Sequence, residues 1–275
     1  MWTVQGRREV SPHRLTQITA FDMFFDNAMN IVFKIIRPCL KYLLPRKMKK
    51  PARRFFFVVI NSGPLRFFYV MRLRRLAARR KQAGKPVCLH LGSGLNYFKG
   101  WINIDFDLYD RLPDIFLDLT RGIPLLNGSV DYIYAEDFIE HLDIEKGRFV
   151  LSECSRILKN KNGVMRLLTP DLKCLVMAYV NRSENELAGY RDFFGCETFG
   201  EMLNRGLREW GHQFLYDEET LTHELRKLNL NILKRSYNFS EEKILRGLDS
   251  RSNSEGSFTM YLDCYKHESP VIPLR

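Results

Sequence analysis

The sequence has few cysteines, and none of them pair at short spacing. Its six cysteines are scattered along 275 residues, with no C-x-x-C pair and no histidine-rich cluster. Structural zinc sites normally use closely spaced Cys and His, and disulfide scaffolds are small and rich in cysteine. We therefore expect reduced thiols in a cytoplasmic protein, without a metal site or a disulfide framework.

Long apolar runs are also missing. The first twenty residues lack the apolar core of a secretory signal, and the most apolar stretch, 55–70, is interrupted by Asn61, Gly63, Pro64 and Arg66. A spanning helix needs roughly 18 or more uninterrupted apolar residues. The sequence thus predicts a protein that does not cross a membrane.

Acidic residues are scarce in the first third of the chain. Residues 1–85 contain 20 Lys and Arg against three acids, a net charge of +17, whereas residues 86–275 carry a net charge of −6. The formal charge of +11 is therefore the sum of two unlike parts. We divide the chain into a basic arm, 1–85, and a mildly acidic domain, 86–275.

The arm has the apolar period of helices. Between residues 20 and 37, polar side chains recur every three or four positions around an apolar stripe, and a second basic helix should follow Pro64 and end near Gly84. Bases interleaved with Phe and Leu suit an anionic membrane surface, contacted through residues 20–85, and would also suit RNA phosphates. Alternatively, the helices pack their apolar faces on the domain and leave the bases in solvent. The membrane and packing interpretations weigh equally, and nucleic acid ranks behind both.

Past residue 85, short apolar runs alternate with helical patterns. Five runs, each followed by a Gly, an acid or Pro, predict strands at 87–91, 101–104, 115–117, 131–135 and 164–169. Near-continuous apolar strands alternating with helices indicate a buried, mostly parallel sheet with its ligand site at the carboxyl ends of the strands.

The C-terminal part follows a different pattern. Helices are expected over 145–159 and after Asp217, which is a plausible N-cap. Two further strands, 230–237 and 257–265, have no obvious crossover helix between them. They should therefore form an antiparallel pair at one edge of the sheet.

Several motifs lie at the strand ends in a fixed order. They are LHLGSG (89–94), NID (103–105), FLDLT (116–120), IPLLNGSVDYIYAEDFIEHL (123–142), L-x-E-x-x-R-I-L-K (151–159), RLLTPDL (166–172) and GHQFLYDEETLTHEL (211–225). Together they resemble class I S-adenosylmethionine-dependent methyltransferases, most closely the type-11 group and its predicted members associated with surface-polysaccharide synthesis. The resemblance covers roughly residues 86–266. It implies a Rossmann-like α/β fold, a seven-stranded, mostly parallel sheet with the last strand antiparallel.

The resemblance also implies contacts to the cofactor, S-adenosyl-L-methionine. Gly92, Ser93 and Gly94 would receive its methionine moiety, because a glycine pair after the first strand lets a ligand approach the backbone closely. Asp105, at the end of the second strand, would accept hydrogen bonds from both ribose hydroxyls. A capping or turn role is the alternative for this aspartate.

The third and fourth strand ends would complete the cofactor site. By resemblance, Asp118 would accept the exocyclic amine of the adenine and Leu119 would support its ring. Glu136 and Asp137 should face the cofactor or the methyl acceptor.

One stretch departs from the family pattern. Residues 92–100 are fewer than the roughly 10–12 of a crossover that contains a helix, so the first helix should be short or absent. Asn96, Tyr97, Lys99 or Trp101 would then supply cofactor contacts, with Lys99 placed to pair with the carboxylate.

Methyl transfer is an in-line displacement at a sulfonium carbon, so most catalysis comes from proximity and orientation. A hydroxyl acceptor would also benefit from a general base. The candidate catalytic residues near the strand ends are His141, the first choice, with Asp137, Asp171 and His212. For each histidine, the alternative that it has no catalytic role carries the same weight as the catalytic interpretation.

Three functions stay open. The favoured one is a methyltransferase that acts on a hydroxyl of a sugar, glycolipid or other small-molecule acceptor, held at the inner face of a membrane by its arm. The second is an RNA or protein methyltransferase whose arm holds the substrate. The third is a non-catalytic, membrane-associated binding module with the same fold.

Overall fold

The computed structural model describes residues 61–106, 112–182, 195–251 and 258–266, together with residues 55, 58, 59 and 191. The helix expected over 20–37 therefore lies outside the described residues. No helix in the described part of the chain is long and apolar enough to cross a membrane.

A seven-stranded sheet forms the centre of the described structure. Its strands are β1 (Cys88–Leu91), β2 (Ile102–Asp105), β3 (Ile115–Phe116), β4 (Tyr132–Glu136), β5 (Val164–Pro170), β6 (Leu230–Lys234) and β7 (Thr259–Lys266). Their order is β3-β2-β1-β4-β5-β7-β6. Strands β1 to β5 pair in parallel, whereas β7 runs antiparallel to both β5 and β6. The expected Rossmann-like sheet with an antiparallel last strand is confirmed.

Five α-helices accompany this sheet within the described ranges. They are α1 (Gly63–Gln82), α2 (Ile144–Ile157), α3 (Leu172–Asn181), α4 (Phe199–Arg208) and α5 (Glu218–Arg226). Side-chain caps set the starts of α2 and α5, the two helices predicted for the domain 86–275. Asp143 accepts a hydrogen bond from the amide of Lys146 before α2, and Asp217 accepts one from the amide of Thr220 before α5. The sequence patterns did not predict α3 or α4.

The connection between β1 and β2 contains no helix along its fully described length, as its shortness predicted. Asn103, buried in β2, holds this connection in place instead. Its Oδ1 accepts the amide hydrogen of Phe98 at 2.9 Å, and its Nδ2 donates to the Phe98 carbonyl and to Asp114 at 3.0 and 2.9 Å. A side-chain network thus does the positioning that a crossover helix normally does.

Helix α1, the second helix predicted for the arm, packs on the sheet. Tyr69, Leu73 and Ala77 recur every fourth residue and are buried in the main hydrophobic core. Two of its bases fix it further, because Arg66 and Arg74 donate hydrogen bonds to backbone carbonyls of the segment after β3. The contacts of α1 therefore agree with the interpretation in which the arm helices pack their apolar faces on the domain. Membrane contact through residues 20–85, and the division of the chain at residue 85, stay predictions.

Candidate functional site

A cavity of about 760 Å³ opens at the carboxyl ends of β1, β4 and β5. The turn after β1, the segment after β4 and the loop around residue 250 form its wall, together with residues near the 3₁₀ turn Glu209–Gly211. Nine of the predicted site residues line it: Gly92, Ser93, Gly94, Asn96, Glu136, Asp137, His141, Asp171 and His212. The fold thus brings together residues that are up to 120 positions apart in the sequence.

The turn after β1 requires glycine. Gly92 has φ +62°, and a Cβ at this position would lie 2.6 Å from Cδ2 of Phe138. Gly94 also has a positive φ, +48°. Both residues therefore adopt a left-handed conformation that side chains disfavour, and at Gly92 the lack of a side chain also leaves room for Phe138.

Asp105 lies directly behind this turn and does not itself line the cavity. Its Oδ2 accepts the amide hydrogen of Gly94 at 2.8 Å, and its Oδ1 accepts that of Phe106 at 2.6 Å. The side chain is buried, at 8% exposure. The last residue of β2 thus shapes the turn, and its predicted contact with a ribose remains a prediction.

Asp118 and Leu119 do not line the cavity. Asp118 caps the 3₁₀ turn Leu119–Arg121, because its Oδ1 accepts hydrogen bonds from the amide and the hydroxyl of Thr120 at 3.0 and 2.6 Å. Leu119 is buried in the main core. The adenine contact expected for this pair stays a prediction, and it would have to use the other carboxylate oxygen, Oδ2.

Glu136, the last residue of β4, holds the loop around residue 250 against the sheet. Its Oε1 accepts the amide hydrogens of Ser250 and Arg251 at 2.9 and 3.0 Å, and its Oε2 accepts the hydroxyls of Ser250 and Tyr134. Burial raises the pKa of this carboxyl above its usual value, although the hydrogen bonds from Ser250 oppose the shift. Glu136 therefore positions part of the cavity wall.

Arg251 supplies a cation to the wall that sequence reasoning missed. Its Nε lies 2.8 Å from Oδ2 of Asp137, one of the predicted catalytic residues. Lys99, the cation expected from the sequence, is exposed and does not line the cavity, whereas Asn96 does. Arg251 follows β4 by more than a hundred residues, so no local sequence signal could have linked it to the site.

The two predicted catalytic histidines lie beside each other. The rings of His141 and His212 meet edge to face, with centroids 5.1 Å apart. His212 Nδ1 lies 2.8 Å from the carbonyl oxygen of Gly206, so Nδ1 carries the hydrogen and the lone pair is left at Nε2. Burial, and then the positive charge that His212 can carry, lower the pKa of His141 below its ordinary value. His141 is therefore a neutral imidazole at neutral pH.

Glu140 is a third titratable residue of this cluster, and the sequence analysis did not single it out. Its side chain is fully buried, and its Oε2 accepts the hydroxyl hydrogen of Thr169 at 3.0 Å. Its Oε1 has no hydrogen-bond partner among the described residues and lies 4.0 Å from Nε2 of His141. Burial raises the pKa of Glu140.

Comparison with known proteins gives no matching family model and no matching curated protein. Solved structures with a similar chain path include the YcgJ protein from Bacillus subtilis, at 14% identity over 70% of this chain and 98% of that one, with a TM-score of 0.40. Two others are described as SAM-dependent methyltransferases. The one from Archaeoglobus fulgidus is 17% identical over 69% and 92% of the two chains, with a TM-score of 0.39. The one from Methanosarcina mazei is 12% identical over 67% and 93%, also with a TM-score of 0.39.

The arrangement has three chemical capacities. The backbone of residues 92–94 is open to close approach by a ligand. Asp137 and Arg251 provide a charged pair at the wall, where a polar group of a ligand would find both signs of charge. His141, which is neutral, offers a base at the same cavity.

Proposed function

We propose that the chain is an S-adenosylmethionine-dependent methyltransferase. The observation that carries this proposal is the position of the cavity in the sheet. Strands β2 and β3 lie on one side of β1, and β4 lies on the other, so the strand order reverses between β1 and β4. Open α/β sheets bind nucleotide-like ligands in the crevice at such a reversal, outside the carboxyl ends of the strands. The cavity lies at that point and is lined by the turn after β1 and the end of β4.

The cavity also fits the size and chemistry of the cofactor. Its volume of about 760 Å³ is within the range of roughly 300–1,000 Å³ that small-molecule sites occupy. Gly92, Ser93 and Gly94 would hold the methionine moiety through their backbone, and Asp105 would hold the ribose from the neighbouring strand end. When bound, the cofactor supplies an electrophilic methyl group on a sulfonium.

His141 would act as the general base toward the acceptor. Its lowered pKa leaves the imidazole neutral, so it can accept the proton of a hydroxyl during methyl transfer. Asp137 and Arg251 would orient the acceptor through hydrogen bonds. We favour a hydroxyl of a sugar, a glycolipid or another small acceptor, presented at the inner face of a membrane to which the arm, residues 20–85, binds.

Binding of the cofactor is the first test. Calorimetry with S-adenosylmethionine should show one binding site per chain. The product S-adenosylhomocysteine should compete for this site and displace the S-adenosylmethionine. No binding by a chain whose fold is verified by circular dichroism would reject the methyltransferase proposal and leave the non-catalytic binding module.

The acceptor class is tested by transfer of a labelled methyl group to fractionated lipid, glycan, RNA and protein extracts. Label in the lipid or glycan fraction supports the favoured acceptor. Label in the RNA or protein fraction supports the second function, and removal of residues 1–60 should then abolish turnover. In the favoured case, the truncated chain should keep its activity on a soluble acceptor.

A further inference from the structure

We propose that Glu140, His141 and His212 form a binding site for a divalent first-row metal ion in the wall of the cavity. Each residue offers one ligand atom, and these atoms all lie within 4.8 Å of one another. Metal binding here does not require that the chain transfer methyl groups, since the geometry of the site involves only these three side chains and their supports.

The separations are close to those that an ion requires. Oε1 of Glu140 lies 4.0 Å from Nε2 of His141. Around a tetrahedral ion with bonds of about 2.0–2.1 Å, neighbouring ligand atoms lie about 3.3 Å apart. Rotation of the two imidazole rings by a modest angle would close this gap, and both rings line an open cavity rather than a packed core.

The hydrogen bonds of His212 and Glu140 are those expected at a metal site. A histidine that binds a metal usually donates its other ring N–H to a carbonyl or a carboxylate, which fixes the tautomer. His212 makes this hydrogen bond to the carbonyl of Gly206. Thr169 holds the second carboxylate oxygen of Glu140. Nε2 of His212 and Oε1 of Glu140 are thereby left for a ligand.

The unpartnered oxygen of Glu140 is the second, independent observation. Oε1 is buried and has no hydrogen-bond partner among the described residues, in a side chain with 0% exposure. A buried carboxylate oxygen without a partner is costly, and nearly all such groups in folded proteins are hydrogen-bonded, paired or bound to a metal. A cation between Oε1 and the two imidazoles would satisfy it.

The donor set indicates the kind of ion. One carboxylate oxygen with two imidazole nitrogens suits Zn²⁺, Co²⁺, Mn²⁺ or Fe²⁺ better than the hard ions Ca²⁺ and Mg²⁺. Three protein ligands leave a coordination position open, and here it would face the cavity. One consequence rests on the proposed methyltransferase function. There, the ion would lower the pKa of an acceptor hydroxyl and would replace His141 as the group that activates the acceptor.

This inference runs against the absence of a metal site expected from the sequence. That expectation was based on the lack of closely spaced cysteines and histidines, and it could not include this pair because His212 is 71 residues from His141. The turns Ile139–His141 and Glu209–Gly211 bring them together in the fold.

The test uses the full chain, stripped of metal by a chelator and kept free of S-adenosylmethionine. Titration with Co²⁺ should give visible absorption bands of a low-symmetry site that saturate at one ion per chain, and Zn²⁺ should displace the Co²⁺. Glu140→Gln and His212→Phe should each weaken Co²⁺ binding at least tenfold. His223→Phe, which changes an exposed histidine on α5, is the matched control and should leave the titration unchanged.

Two results would overturn the proposal: no Co²⁺ or Zn²⁺ binding by the folded wild-type chain, or equal binding by the wild type and both variants. If Glu140→Gln does not fold, His212→Phe decides alone, because His212 is only half-buried. The separate calorimetry with S-adenosylmethionine distinguishes a failure of this proposal from a failure of the proposed function.

Discussion

Asp105 accepts a hydrogen bond from the amide of Gly94 across 2.8 Å, so the end of β2 is tied to the turn after β1. Asp105→Ala removes this bond and the proposed ribose acceptor together. We expect at least a tenfold weaker affinity for S-adenosylmethionine, about 1.4 kcal/mol, measured by calorimetry.

Asp131→Ala is the matched control for this loss. Asp131 also accepts a backbone amide hydrogen, that of Val87 at 2.9 Å, but it does not line the cavity. Its loss should leave the affinity for the cofactor unchanged. An Asp105→Ala variant that binds as tightly as Asp131→Ala would remove the ribose assignment.

Gly92→Ala should destabilise the protein in two ways, through backbone strain and through crowding beside the cavity. Alanine at φ +62° costs about 1–2 kcal/mol of stability, and the Cβ would in addition meet the ring of Phe138 at 2.6 Å. We expect a further loss of about 1–3 kcal/mol from this overpacking, and cofactor binding weakened at least tenfold because the turn must move. Urea unfolding and calorimetry measure the two effects.

Gly100→Ala provides the comparison, because Gly100 has φ +85° and nothing within 4 Å of its ideal Cβ. It should show the strain cost alone, with cofactor affinity intact. Equal stability losses in the two variants would contradict the close packing of Gly92 against Phe138.

Local pattern was sufficient to predict the strands and their direction, but not the connections across the cavity. The apolar runs before Gly92, Asp105 and Glu136 each became a buried strand, since burial on both faces leaves a continuous apolar signature. The hydrogen bonds from Ser250 and Arg251 to Glu136 join residues more than 110 positions apart.

The same limit applies to helices and to the histidine cluster. Helix α3 has exposed apolar residues, among them Val176 and Val180, so its sequence lacks the amphipathic period that identified α2. The proximity of His141 and His212 depends on how α4 and the following turn pack. The hydrophobic periodicity of the sequence carries no information about this packing. The residues at the strand ends could therefore be predicted from local pattern, whereas the contacts that build the opposite wall of the cavity could not.

His90 should make the stability of the protein depend on pH. Burial, opposed only by a hydrogen bond with Asn103, lowers the pKa of His90 to about 4. The unfolded chain, with an ordinary histidine pKa of about 6.5, therefore binds the proton first as the pH falls. Stability that is complete above pH 6.5 is lost progressively toward pH 4, and the loss from His90 between pH 7.5 and 5 should be about 2 kcal/mol.

Urea unfolding of the wild type and of His90→Phe over this pH range isolates the effect. Phenylalanine keeps a ring stacked on Phe98, whose centroid lies 4.1 Å from that of His90, but it cannot titrate. The free energy of unfolding of the variant should fall less steeply by that amount. Parallel pH profiles for the two proteins would show that His90 is not the group responsible.

Arg166 should be among the most costly residues to replace, because it neutralises two buried acids. It donates to Asp249 and Asp263 at 2.8 Å, and all three side chains have 0% exposure. Arg166→Met would leave the carboxylate of Asp249 buried without its cation, whereas Asp263 would keep its pair with Arg235 at 3.2 Å, and we expect a cost of about 3–5 kcal/mol. Since Asp249 precedes Ser250, we also expect faster hydrogen exchange at the Ser250 amide, which Glu136 otherwise holds.

Two variants make this prediction specific. Arg205→Met breaks a partly exposed pair with Glu201 within α4 and should destabilise the protein far less than Arg166→Met, because solvent screens such pairs. In the triple variant Arg166→Met, Asp249→Asn, Asp263→Asn, no buried charge is left unpaired, so much of the stability lost in Arg166→Met should return. If the triple variant is less stable than Arg166→Met, the loss comes from packing or from the hydrogen bonds of Asp249 rather than from unpaired charge.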